Sequence, residues 1–133
     1  KNMNAYKLFV LDVGLLGAMS ELPAESILEG NDIFVEFKGA LTEQYVLQQL
    51  ISDTPYTPYY YGNEKATFEQ DFLIQKAKSI VPIEVKAEQN IRSHSLKTYC
   101  EKFQPEEAVR FSTLKYKEQE RMVNIPLYAV CNL

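Results

Sequence analysis

"VPIEVKA", residues 81–87, is the stretch on which the fold turns. Side chains of a strand alternate between faces, so Ile83 and Val85 project to one side and Glu84 and Lys86 to the other. The apolar side chains ask for burial in a central strand, and the acid and base beside them ask for a reason. Upstream, "TFEQDFLIQ" (67–75) and "YYYG" (59–62) read as two more strands, joined by the polar tip "GNEKA" (62–66). "KAKS" (76–79) turns the chain back, which predicts an antiparallel meander with Phe72 and Ile74 on one face and Asp71 and Leu73 on the other.

Before the meander, "NDIFVEFKGALTEQYVLQQL" (31–50) predicts the longest helix, capped by Asn31 or Asp32 and running to about Ile51. Ala40, Leu47 and Leu50 form its apolar stripe with Val46 on the flank, and Glu43 falls inside that stripe. "YKLFVLD" (6–12) suggests a short strand or helix start, followed by a helical turn in "VGLLGAMSELP" (13–23) broken near Pro23. After the meander, "SHSLKTYCEKF" (93–103) reads as an amphipathic helix capped by Ser93 or Ser95, with Leu96, Tyr99, Cys100 and Phe103 inward. Pro105 ends it. "AVRFS" (108–112) and "IPLYAV" (125–130) read as two late strands separated by the charged "TLKYKEQERMVN" (113–124). The class is α/β, a central mixed sheet with helices packed against it. Residues 1–30 are expected to be a connecting segment packed on a domain spanning 31–133.

At 133 residues, with 46% hydrophobic and 24% charged side chains, the chain suits one core that needs no disulfide or metal staple. Its 14 basic and 18 acidic residues give a net charge of −4, the wrong sign for gripping nucleic acid mainly through phosphate neutralisation. A nucleic-acid role therefore calls for a local basic patch, a bound cation or a neighbouring domain. Lys97, Lys102, Arg110, Lys115, Lys117 and Arg121 are interrupted by glutamates and read as a mixed solvated surface. Cys100 and Cys131 lack any metal-ligand spacing and read as buried thiols. No apolar run approaches the about 20 residues of a membrane helix, and the expected location is cytoplasmic. His94 reads as an exposed helix-entry residue. Tyr59, Tyr60 and Tyr61 offer rings for base stacking, although one face of their strand must be core.

The polar residues that break the apolar patterns converge. Pairing of the second and third strands brings Asp71 and Glu84 within a few ångströms, and like charges so close invite a cation between them. Hard carboxylate oxygens suit Mg²⁺, and Lys86, one strand step on, is placed to hold a water for attack on phosphorus. Competing structural readings exist for each residue: Glu84 and Lys86 as a solvent-facing pair, Asp71 as an edge-strand charge, Glu43 as a salt-bridge partner of Lys86.

The order helix Glu, strand Asp, strand E-x-K resembles the PD-(D/E)xK nuclease superfamily. "KLFVLDVGLL", "KGALTEQYVLQQL", "EQDFLI", "VPIEVKA" and "SHSLKTY" together resemble the uncharacterised carboxy-terminal domain of prokaryotic P-loop (AAA+-type) ATPases, over about Lys7 to Leu127. The resemblance implies a restriction-endonuclease-like core and a DNA phosphodiesterase using Mg²⁺ or Mn²⁺. It places Asp71 and Glu84 on the metal with the Val85 carbonyl, Glu43 on a second metal or a metal-bound water, and Lys86 on the attacking hydroxide. Glu69 takes the first acid of the family's E-x-D-F signature. Gln70 stands where relatives carry an apolar residue and is expected to face away from the site. The chain has no GxxxxGK[ST], so a partner ATPase domain is expected upstream. The alternative is a docking module for nucleic acid or protein that regulates the ATPase, its acids vestigial.

Overall fold

The computed structural model describes residues 6–21, 25, 32–62, 69–87 and 94–133, and of 32–36 the backbone alone. Helices α1 (Val13–Met19), α2 (Asp32–Asp53) and α3 (His94–Phe103) accompany β1 (Tyr59–Gly62), β2 (Glu69–Lys76), β3 (Ser79–Lys86), β4 (Ala108–Ser112), β5 (Lys117–Gln119) and β6 (Met122–Pro126). The strands form one mixed sheet in the order β1-β2-β3-β4-β6-β5. β1, β2 and β3 make the antiparallel meander, β3, β4 and β6 run parallel, and β5 is an antiparallel edge. A parallel step needs a crossover, and α3 supplies it between β3 and β4. The α/β reading with a mixed central sheet therefore holds.

The core forms between α2 and one face of the sheet. Val46 and Leu50, one helical turn apart, are fully buried against Phe72, Ile74, Val81, Ile83, Val85, Val109 and Phe111. The buried stripe is rotated from the expected one: Ala40 is exposed, Leu47 is half-buried, and Glu43 stands on the rim with its side chain 29% exposed. On α3, Leu96 and Tyr99 are buried at helical spacing, and the Tyr61 ring meets Tyr99 and Phe103 edge-on. Ser95 lies within α3 and does not cap it. Asp12 caps α1, its carboxylate accepting the Leu15 N–H at 2.8 Å. Asp32 is the first helical residue of α2. The Asn31 and Ser93 caps, the tip after Gly62 and the break at Pro23 lie outside the described residues.

Residues 6–11 do not form the expected strand, while the alternative of a helix start is met at Asp12, the cap of α1. They are strapped to α2 by side chains instead. The Gln44 amide accepts the Val10 N–H at 3.1 Å and donates to the Val10 carbonyl at 2.9 Å, and Gln48 accepts the Val13 N–H at 3.0 Å. A buried Gln44 thus does for this segment what a neighbouring strand would otherwise do.

The late part of the chain departs from expectation. The last strand begins at Met122 and ends at Pro126, and Leu127–Asn132 is a short 3₁₀ helix. Proline has no N–H to give a ladder, so "IPLYAV" does not continue as a strand. β5 arises within the segment read as a connector, as a short, charged and fully exposed edge. Cys131 is exposed, contrary to its expected burial, and Cys100 is half-buried; both are free thiols. No helix among the described residues is long and apolar enough to cross a membrane.

Candidate active site

The site is made where β2 and β3 stop pairing. Their ladder runs from Lys76↔Ser79 to Phe72↔Ile83, leaving Glu69–Asp71 and Glu84–Lys86 at the parted end. Side chains take over the main-chain hydrogen bonds there. The Val85 N–H donates to Asp71 Oδ2 at 2.8 Å, and Gln70 Nε2 donates to the Ile83 carbonyl at 2.6 Å. On the other edge of β2 the register shifts: Tyr59 pairs with Leu73 and Tyr61 with Gln70, so Asp71 and Phe72 together face Tyr60. A bulge of this kind bends the strand and re-aims a side chain. Asp71 is therefore not a simple alternate-face residue, as strict alternation predicts; its carboxylate lies in the strand gap, within reach of α2.

Two charged groups meet at this end. In the first, the Lys7 ammonium stands 3.2 Å from Glu43, 3.8 Å from Glu69 and 4.0 Å from Asp71. Glu43 is on α2, Glu69 and Asp71 on β2, and Lys7 on the strap held by Gln44. Burial pushes the Asp71 carboxyl up to about 6, with Glu43 adding to the rise; the Val85 N–H and the Lys7 charge oppose it, and Glu84 adds the smallest increment. In the second group, Glu84 is buried at 3% exposure, and Lys86 approaches its Oε1 at 2.9 Å. Lys86 keeps 31% of its side chain exposed while bound to the acid.

Glu84 lies across the sheet from Ile83 and Val85, on the side where its charge reaches the Cys100 thiol of α3. Its register partner on β4 is Arg110, which is 5% exposed and therefore not part of a solvated surface as expected. Burial lowers the Arg110 pKa and the Glu84 charge counters this. Arg110 Nε donates to Asn124 Oδ1 at 2.9 Å, and Ser112 Oγ donates to the same oxygen at 2.7 Å. Against this network, Glu84 Oε2 and Gln70 Oε1 are buried without a hydrogen-bond partner among the described residues. Gln70 pairs in register with Tyr61, whose ring packs on α3, so Gln70 occupies the Glu84 side of the sheet and turns away from Asp71.

The structure thus brings Glu43 and Asp71 together around Lys7, and Glu84 and Lys86 into contact on the adjoining strand. Among the described residues no group of three or more histidine, cysteine, aspartate or glutamate side chains is placed to hold a metal ion. Lys7, Arg110 and Gln70 are the site residues that sequence reading did not assign. Lys7 carried no signal, being 36 residues from Glu43; Arg110 could have been found, since a charge within the apolar "AVRFS" must be buried or on an edge. His94 is exposed at the start of α3, as expected.

A cavity of about 880 Å³ lies between α1, α2 and the Leu127–Tyr128 turn and borders the site at Thr42, Ala87 and Ser112. A second, about 490 Å³, is lined by Lys7 itself together with Phe9, Tyr59, Tyr60 and Phe72. Comparison with curated proteins and with solved structures found no match. Residues 38–130, which take in most of α2, the whole sheet, and Glu43, Asp71, Glu84 and Lys86, match the model of a family described as a domain of unknown function, and the chain belongs to that family, DUF4143.

Proposed function

We propose that this domain is a Mg²⁺-dependent phosphodiesterase acting on DNA, of the PD-(D/E)xK kind, working with an upstream P-loop ATPase. The observation that carries the reading is the buried, unpartnered Glu84 Oε2 beside a lysine that touches both Glu84 and solvent. A buried carboxylate oxygen without a donor is costly, and a cation relieves that cost. Mg²⁺ binds through one or two carboxylates and keeps several waters, so it does not call for a third acid. Asp71 and Glu84 would hold the ion with the Val85 carbonyl, and Glu43 would hold one of its waters or a second ion; Mn²⁺ suits the same oxygens. When bound, the ion supplies charge neutralisation for the phosphodiester and acidifies water.

The chain's own residues have separate tasks. Asp71 is fixed by the Val85 N–H, which sets its carboxylate without help from a cation. Lys86 orients the attacking water and balances the Glu84 charge at 2.9 Å. Arg110, the register partner of Glu84 on β4, places a positive charge beside this buried acid.

One observation favours the docking reading, in which the acids are vestigial: Lys7 already stands among Glu43, Glu69 and Asp71 where a cation is wanted. The two readings separate in a nicking assay on labelled branched and duplex DNA, using the domain joined to its ATPase with Mg²⁺ or Mn²⁺, with and without ATP. The phosphodiesterase reading expects cleavage by the wild type and a loss of about 100-fold or more in Lys86→Ala, with the fold retained. Cleavage that survives Lys86→Ala, or none in the wild type under any of these conditions, overturns it.

A further inference from the structure

The cavity beside Lys7 is built of aromatic rings. Tyr6, Tyr59 and Tyr60 contribute to its lining, and Phe9 and Phe72, ring centroids 5.9 Å apart, close the side towards the core. Tyr6 is 71% exposed and Tyr59 57% exposed, large rings left in water at one place on the surface. Tyr61 is committed to Tyr99 and Phe103 and anchors the strand that presents its two neighbours. At about 490 Å³ the cavity falls within the range of small-ligand sites, which combine apolar walls with a few polar groups. Lys7 both lines this cavity and stands within 4.0 Å of Asp71 and 3.2 Å of Glu43. A planar group seated among the rings is thus joined to the acid set by a single side chain.

We infer that this cavity receives an unpaired base of a nucleic acid strand, with the attached phosphate brought to the acid set past Lys7. The choice of occupant rests on the phosphodiesterase reading; the aromatic cavity does not. Base stacking on tyrosine is sequence-tolerant and strong enough to hold one nucleotide of a single strand. The domain would therefore act on single-stranded, branched or frayed DNA in preference to intact duplex.

The test is fluorescence anisotropy of the full chain in EDTA, where no cleavage occurs, using a labelled 12-nucleotide oligo-dT, the same backbone with abasic sites, and a 12-base-pair duplex. The base-containing strand is expected to bind about 10-fold tighter than the abasic strand. Tyr59→Ala and Tyr60→Ala should each weaken it by about 5-fold or more, while Tyr59→Phe and Tyr60→Phe, which keep the ring, restore binding. Tyr128→Ala, exposed and outside the cavity, should change nothing. Equal binding of abasic and base-containing strands, indifference to the alanine variants, or ring-dependent displacement by a proline-rich peptide overturns the inference. Base-selective binding without nicking leaves the cavity assignment standing and removes the phosphodiesterase reading. Nicking that is indifferent to Tyr59 and Tyr60 does the reverse, and absence of any oligonucleotide binding removes the base site outright.

Discussion

The two ends of the β2–β3 pair are made from the same strands and solve opposite problems. At one end the ladder closes through the Ala77–Lys78 turn, with Lys76 paired to Ser79, Ile74 to Val81, and the side chains of Ile74 and Val81 buried in the core. At the other end the strands part after Phe72 and Ile83, and the side chains of Gln70 and Asp71 complete the hydrogen bonds. The closed end puts its stability into main-chain pairing and apolar burial. The parted end holds Asp71, Glu84 and Lys86 in place by hydrogen bonds and ion pairs, leaving one buried carboxylate oxygen unpaired. By stopping its own pairing early, the main chain leaves groups at this end that are fixed but not all satisfied.

The contrast predicts where mutations hurt. Phe72→Ala, at the last closed rung and 2% exposed, should cost about 4 kcal/mol of stability by emptying the core, and no divalent ion should restore it. Chemical denaturation with and without Mg²⁺ checks this. Arg110→Ala should come next, at about 3 kcal/mol, because it leaves Glu84 buried with less compensating charge and breaks the bond to Asn124. Unlike the loss at Phe72, part of this loss should be recovered by adding Mg²⁺.

Asp71→Asn should act in the other direction. The folded protein holds the Asp71 proton up to about pH 6, whereas the unfolded chain releases it near 3.8. The associated stabilisation is full below pH 3.8 and lost as the pH rises through about 6. The asparagine variant escapes that loss and keeps an acceptor for the Val85 N–H, so at pH 8 it should be more stable than wild type by on the order of 2 kcal/mol. At pH 4 the two should differ little. Thermal melts across pH 4 to 8 read the difference directly. The smallest change belongs to the closed end, where Ala77 takes a φ of 55° in the turn. Ala77→Gly should raise stability by less than about 1 kcal/mol, with no effect on the site.

What the sequence disclosed follows the same division. The meander was legible because the apolar runs Phe72–Ile74 and Ile80–Ile83 are joined by a short polar turn. The acid set was legible as a pattern of types, Glu43 on a helix, Asp71 and Glu84 on successive strands, Lys86 two residues on. Its geometry was not, because a bulge opposite Tyr60 leaves no mark on the alternation of apolar residues. Lys7 was invisible because only the tertiary clamp of Gln44 on Val10 sets it against Glu43. It also lies outside residues 38–130, the part of the chain that matches the family. The last strand was misplaced because "IPLYAV" (125–130) reads as one apolar run, and only Pro126 marks the strand's end.

The central claim, that the parted end is a cation site, is tested most directly by titrating Mn²⁺ into the protein at pH 8 by calorimetry, wild type against Glu84→Gln, with melting temperatures recorded for both. The account predicts saturable binding to the wild type that weakens as the pH falls below about 6, where Asp71 takes up its proton. It further predicts that Glu84→Gln folds and does not bind. Saturable binding of equal strength in Glu84→Gln, or no binding in the wild type, would contradict it.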